Sequence, residues 1–352
     1  MVRGTLGRRA IVGGVAAMVL AASGCGTPAP ADVPLPLPKP SAVDSTSTIS
    51  SSSSAAGGRT RNAPGKAPYS LHTNPSWYGN LANAMDYVPA PLQGALKRLE
   101  KSPIAEWMSP DLLPPRRDVD AGHAAGQIPV LVAYDIPHRD LDGHSAGGLP
   151  DGTAYRQWVD DVSDLIGDNN AVLIVEPDAL MQMIDMTDPP ARAERLALLQ
   201  YALKTFARNK NTAVYLDAGN ASWRSADDVA RLLREVESGG VQVPGIALNV
   251  SSRHREETTR AYAEQIEKAF GRPLYVMIDN SVNGAPNTDD LDGWCNPSGR
   301  KIGSLSDTIF DPDARVEEMY IKTPANSDGV CGTSRRPAGV FDGALLVKEL
   351  QP

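Results

Sequence analysis

Six runs of apolar and β-branched residues punctuate the chain: IPVLVAYDI (128–136), AVLIVEP (171–177), TAVYLDAG (212–219), GIALNV (245–250), PLYVMIDNS (273–281) and EEMYIKTP (317–324). Their apolar residues are continuous rather than alternating, which fits strands covered on both faces. Segments of helical period separate them. Tyr155, Trp158, Val159, Val162 and Ile166 recur on one helical face, as do Leu196, Leu199, Leu203 and Phe206, and again Tyr262, Ile266 and Phe270. Strand–helix alternation predicts βαβ units and a parallel sheet. A barrel and a doubly wound sheet both remain compatible with one long domain; the barrel is the preferred reading.

Most of these runs end near a carboxylate. Asp135 and Asp140 follow the first, Glu176 and Asp178 the second, Asp217 the third, Asp279 the fifth and Asp328 the sixth. In a parallel α/β barrel all strand C-termini open on one face, where active sites are built. Taken singly, such an Asp is more simply a cap of the next helix. Seven on one face strain that explanation, because like charges brought together cost stability. In an extended strand, residues 176 and 178 share a side, with Pro177 opposite. The expectation is that Glu176 is a buried support. Asp178 should reach the cleft and keep its proton because Asp140 is near.

The N-terminal third changes the picture. Arg3, Arg8 and Arg9 precede the apolar stretch AIVGGVAAMVLAA (10–22), and ASGC places Cys25 after small residues. Residues 1–25 resemble a lipoprotein signal with Cys25 as the lipidated residue, although Ala22 stands where Leu is usual. Arg8-Arg9 also fits a twin-arginine signal. Residues 26–66 are rich in Pro, then Ser, and read as a tether. Residues 67–352 form one catalytic domain. The protein is thus expected outside the cytoplasm, anchored through Cys25, and monomeric. With Cys25 lipidated or removed, Cys295 and Cys331 are an even pair that favours a disulfide in an oxidising compartment.

The 352 residues carry 42 acidic and 34 basic side chains, a net charge of −8. That argues against a nucleic-acid partner and an anionic polymer, but not a neutral one. No Cys or His cluster has metal-ligand spacing, and no cofactor is expected. G-x-S-x-G, G-x-G-x-x-G and P-loop motifs are absent. An acidic cleft of this kind points to glycoside hydrolysis, in which a carboxylic acid protonates the leaving oxygen and a second group handles water. Trp77, Trp107, Trp223 and Trp294 lie in or beside the same loops, where they can stack on sugars or pack in the core.

LVAYDIPHRDLDGHSAGG, LIVEPDAL, VYLDAGNASW, GIALNVS, IDNSVNG, WCNPSGRKIG and YIKTPANSDG occur in the order and spacing of glycoside hydrolase family 6. The resemblance covers essentially the whole domain after the linker. It implies a distorted, TIM-like seven-stranded β/α barrel, inversion at the anomeric carbon and a β-1,4-glucan substrate. It makes Asp178 the general acid, Asp140 the residue that raises its pKa and helps a water chain, and Asp328 the candidate base. Tyr134 matches the tyrosine near the distorted sugar, Ser145 the serine that positions water, and Lys322 a substrate-binding lysine. Asp217, Asn249, Trp223 and Trp294 are implied substrate contacts, and Cys295 with Cys331 matches a family disulfide.

The chain also departs from the pattern. Leu141 replaces a cysteine, so a second family disulfide is missing. Asn220 stands for His, Val282 for Arg, Asn326 for Glu, Tyr320 for Trp and Arg253 for Tyr. A polar contact to a sugar hydroxyl is commonly worth about 1 kcal/mol, so these changes bear on substrate more than on proton transfer. The leading expectation is an anchored or secreted endo-β-1,4-glucanase, its short connections after the second and last motifs favouring an open cleft. The competing expectations are a carbohydrate-binding or envelope protein of the same fold with little turnover, or action on another glucan.

Overall fold

A computed structural model describes residues 69–73, 80–81, 83–111, 113–286, 293–304 and 309–351. The signal segment with Cys25, the tether and Trp77 lie outside the described residues. The elements run β1 (Tyr69–Ser70), α1 (Gln93–Leu99), β2 (Glu106–Met108), α2 (Leu113–Ala124), β3 (Val130–Ala133), α3 (Gly152–Ile166), β4 (Ala171–Val175), α4 (Ala179–Gln182), α5 (Pro189–Phe206), β5 (Thr212–Asp217), α6 (Ala226–Glu237), β6 (Gly245–Leu248), α7 (Glu256–Phe270), β7 (Tyr275–Asp279), β8 (Ile309–Phe310), β9 (Val316–Met319) and α8 (Gly343–Glu349).

Seven strands form one parallel sheet in the order β2-β3-β4-β5-β6-β7-β9. Five of the six expected runs contain one of its strands, and the sixth, 317–324, overlaps β9, which begins one residue earlier. The sheet curls until its edges meet: Ile104 bridges Tyr320, the Ala105 N–H donates to the Tyr320 carbonyl at 3.0 Å, and Trp107 Nε1 donates to the Ile321 carbonyl at 2.8 Å. The result is a distorted, barely closed barrel rather than an open doubly wound sheet. β2 escaped the sequence pattern. Its three residues, Glu-Trp-Met, are no apolar run, and it is a strand because it pairs with the edge of β3.

Strand side chains alternate between two cores. Val130, Val132, Val172, Ile174, Ala213, Tyr215, Ala247 and Met277 fill the barrel. Leu131, Ala133, Leu173, Val175, Leu216, Ile246 and Leu248 face outward against α3, α5, α6 and α7. Both faces are covered, which is why the runs lack a polar alternation. Gly245 makes room inside the barrel, because a Cβ there would come within 2.8 Å of the Tyr215 ring. Asp151, Ser225 and Asp342 cap α3, α6 and α8 through their side chains. These ordinary caps are not the strand-end acids.

Candidate active site

The loops after the strands enclose a cleft of about 950 Å³. Tyr134, Asp140, Ser145, Asp178, Trp223, Trp294, Lys322 and Asp328 line it together. Asp217 and Asn249 do not; both are buried beneath it.

Backbone geometry decides which acid goes where. β4 ends at Val175, and Glu176 and Asp178 then adopt φ of +49° and +70°. Strand parity therefore does not govern them, contrary to the extended-chain expectation. Among the described residues, nine non-glycine residues have positive φ, and each follows a strand of the sheet. Such conformations cost about 1–3 kcal/mol apiece and gather at functional sites.

The strand-end acids divide into two kinds. Glu176 is fully buried and accepts from the N–H groups of Asp135 and Ile136, at 3.2 Å each, and from the Tyr155 hydroxyl at 2.9 Å. Asp217 accepts from the N–H of Asp178 at 2.9 Å and of Gly219 at 3.2 Å. Asp279 accepts four N–H groups, those of Ser251, Ser281, Ile321 and Lys322. These acids clasp the loops of neighbouring strands, a role neither cap nor catalyst. Gly219 makes the turn beside Asp217 at φ +74°, with Met181 so close that a Cβ would lie 2.7 Å from it.

Asp178 behaves differently. It occupies the N-cap position of α4, yet its side chain makes no capping bond. Burial, and secondarily the charge of Asp140, pushes its pKa up to about 7 against the opposing pull of the Tyr134 hydroxyl. Burial also pushes Glu176 up to about 7, against the opposing pull of its three donors. Burial and the charge of Asp178 raise Asp217 well above the usual carboxylate range. Asp140 accepts from the Ser145 N–H at 2.7 Å and from Gln182 Nε2 at 3.2 Å. Arg139 braces this loop: Nε donates to the Ser145 carbonyl, Nη1 donates to the Tyr134 carbonyl, and its guanidinium lies 4.7 Å from the Tyr134 ring centre.

Across the cleft, Asp328 sits in a cationic cradle. Lys322 Nζ and Arg300 Nη1 each lie 2.6 Å from one of its oxygens, and the Asn296 N–H donates at 2.8 Å. Despite burial, Lys322 and Arg300 hold its pKa below the usual value. Arg300 also pairs with the buried Glu349 of α8. Cys295 and Cys331 are joined in a disulfide. Beside it, the ring of Trp294, 63 % exposed, leans on His144 with centroids 5.7 Å apart. Asn249 donates to the carbonyls of His254 and Asp279 and holds the loop after β6.

Of the departures from the family pattern, Val282 and Tyr320 are buried in the protein interior. Asn220 and Asn326 do line the cleft. Asn220 turns its side-chain oxygen to the N–H and hydroxyl of Ser222. Sequence reasoning missed Gln182, Arg195, Asn296, Arg300 and Glu349. Only Arg195 left a signal, a lone charge in the buried stripe of α5.

The sequence model described as "Glycosyl hydrolases family 6" matches residues 66–344. Endoglucanase A of Thermobispora bispora is 35% identical over 288 residues, 78% of this chain and 61% of that protein. The chain thus spans about three fifths of that curated relative. Endoglucanase 1 of Streptomyces halstedii is 39% identical over 230 residues, 63% of this chain and 69% of that protein. Among solved structures, the endoglucanase Cel6 from Mycobacterium tuberculosis, in complex with methyl-cellobiosyl-4-deoxy-4-thio-β-D-cellobioside, superposes with a TM-score of 0.70. It is 34% identical and the match covers 80% of this chain and 96% of that one.

Proposed function

Because the chain belongs to glycosyl hydrolase family 6, we propose that it is a β-1,4-glucanase that cleaves glucan chains internally with inversion, Asp178 serving as general acid. One observation carries the reading: Asp178 is the strand-end acid that faces the cleft with a pKa raised to about 7 and, among the described residues, no backbone N–H donating to its carboxyl. At neutral pH it can hold a proton and release it to the glycosidic oxygen as the C1–O bond breaks. A water then adds to C1 from the opposite face and sheds a proton. Asp140, with Ser145 beside it, is the better-placed recipient. Asp328 has both oxygens engaged by cations, so it is a weak base and serves better to hold Lys322 for a sugar hydroxyl. Asp217 and Asn249 act as positioning residues beneath the site, the first through the Asp178 N–H.

The test measures reducing ends released from a soluble β-glucan by wild type and Asp178→Asn. Loss of at least a hundredfold is expected; equal release would remove Asp178 from the role. Proton NMR should show the α-anomer first. The substituted Asn220 and Asn326 in the cleft favour one second reading, a binding protein with little turnover. Calorimetry separates it: cello-oligosaccharide bound tightly and recovered intact after long incubation would support binding alone. We further place the protein outside the cytoplasm, tethered by a lipid on Cys25. Release of Cys25→Ala into the medium is the expected result.

A further inference from the structure

Arg195 is 3 % exposed, and among the described residues it forms no ion pair. It occupies the first turn of the stripe that Leu198, Leu199, Ala202 and Leu203 continue against the core. A buried guanidinium without a carboxylate partner is costly. Its hydrogen-bond acceptors are all neutral. Nη1 donates to the Gln182 side-chain oxygen at 3.0 Å, and Nη2 donates to the carbonyls of Pro137 at 3.1 Å and His138 at 2.6 Å.

Guanidinium can only donate. The oxygen of the Gln182 amide must therefore face Arg195, and its NH₂ must face the other way. That NH₂ donates to Asp140 Oδ1, whose companion oxygen is held by the Ser145 N–H. The same guanidinium grips the carbonyls just before the Asp140 turn, where His138 and Asp140 have φ of +54° and +60°. Gln182 and Asp178 sit at opposite ends of α4, so the relay joins both acids to α5.

We infer that Arg195 is a positioning residue that acts through Gln182 to fix the Asp140 carboxyl group beside Asp178. Two effects combine. The oriented amide holds that carboxyl group in place, and the buried positive charge lowers the proton affinity of the acid pair as a whole. Several groups surround this pair. Tyr134, with Arg139 on its ring, comes from the loop after β3 and Asp217 from β5; Glu176, Asp135 and Tyr155 cluster behind them around one another and Arg195. Arg195 is the cation that reaches them from the helix layer. Because Asp140 and Asp178 interact, their titrations belong to the pair.

The inference deepens the glucanase reading, and one arm of its test does not need turnover. Carboxyl carbon-13 titration of the aspartate-labelled protein, with Asp178→Asn identifying the resonance, follows the pair directly. Arg195→Met should move its titration upward by about one pH unit, and Arg195→Lys should restore it. Gln182→Met should move the lower step of the pair the same way. In the kinetic arm, the bell of kcat/KM against pH shifts bodily to higher pH in Arg195→Met, with KM changed less than about twofold, since Arg195 does not line the cleft. A merely structural Arg195 would lower the melting temperature and leave the bell in place. Unmoved titration in a folded Arg195→Met, or in Gln182→Met if that variant does not fold, overturns the inference. Shifted titrations in a protein that hydrolyses no glucan would sink the functional reading and leave the relay standing.

Discussion

An acid kept protonated by burial burdens the fold, and Asp178 lets that burden be measured. In the unfolded chain its carboxyl titrates at an ordinary 3.8; in the fold, burial and Asp140 carry it to about 7. Between those values the folded protein binds more protons than the unfolded chain. Stability therefore falls as pH rises through this window. The displacement of about three pH units sets an upper bound of about 4 kcal/mol at pH 8. Water entering the cleft and relaxation of the loop reduce it, so about 2 kcal/mol is the working figure.

Asp178→Asn removes the cost. Asparagine has no charge to bury and nearly the same shape. The variant should be more stable than wild type by about 2 kcal/mol at pH 8, or several degrees in melting temperature. At pH 3, below the unfolded value, the position is largely neutral in folded and unfolded chains alike and the advantage should nearly vanish. Glu176 and Asp279 are common to both proteins and largely cancel in the difference. Urea unfolding of the pair at pH 8 and pH 3 is the assay. A gap of the same size at both pH values, or no gap, would show that position 178 carries no displaced proton.

Three further outcomes rest on other parts of the site. Asp328→Ala leaves Lys322 and Arg300 buried without their shared carboxylate and should cost about 3–5 kcal/mol in urea unfolding. A loss under 1 kcal/mol would mean the cradle is wet. Replacing Cys295 and Cys331 together by Ser opens a loop of 36 residues' separation; the chain-entropy model gives about 4 kcal/mol, read as a lowered melting temperature under non-reducing conditions. Trp294→Ala should leave unfolding within about 0.5 kcal/mol, since the ring is largely exposed. It should nonetheless weaken cello-oligosaccharide binding by about 1 kcal/mol in calorimetry, and unchanged affinity would take Trp294 out of the sugar contacts.

Legibility followed physics. Continuous apolar runs mark buried parallel strands; β3 to β7 lay inside the expected runs, and β9 overlapped its own by all but one residue. The helical faces of Tyr155, Leu199 and Tyr262 fell on α3, α5 and α7. β2 was invisible because pairing, not pattern, makes it a strand. That a ring of acids would gather at the strand ends could be read from the chain. Asp178 enters the cleft and Glu176 stays buried, as expected, but left-handed φ at Glu176, Asp178 and Asp140 aims these side chains rather than strand parity, and local sequence does not announce it. Asp217 and Asn249 were expected against substrate and instead lie buried outside the cleft lining, holding backbone. Arg300 reaches Asp328 across 28 residues of sequence and Glu349 across 49, and no local pattern encodes such contacts.

The division among the acids accounts for how so many carboxylates share one barrel mouth. Glu176, Asp217 and Asp279 each collect backbone N–H groups, mostly from loops of neighbouring strands, and such donors offset much of the cost of burying a carboxylate. Asp328 is neutralised by two cations. Asp135 pairs with Arg139, and Asp140 accepts from Ser145 and Gln182. What remains is Asp178, buried with a like charge nearby. The fold thus spends its donors on the other acids and withholds them from the one whose pKa is raised beside the cleft. Adding a donor at Asp178 would steady the loop and lower its pKa together, so stability and retention of the proton at this position are opposed by construction.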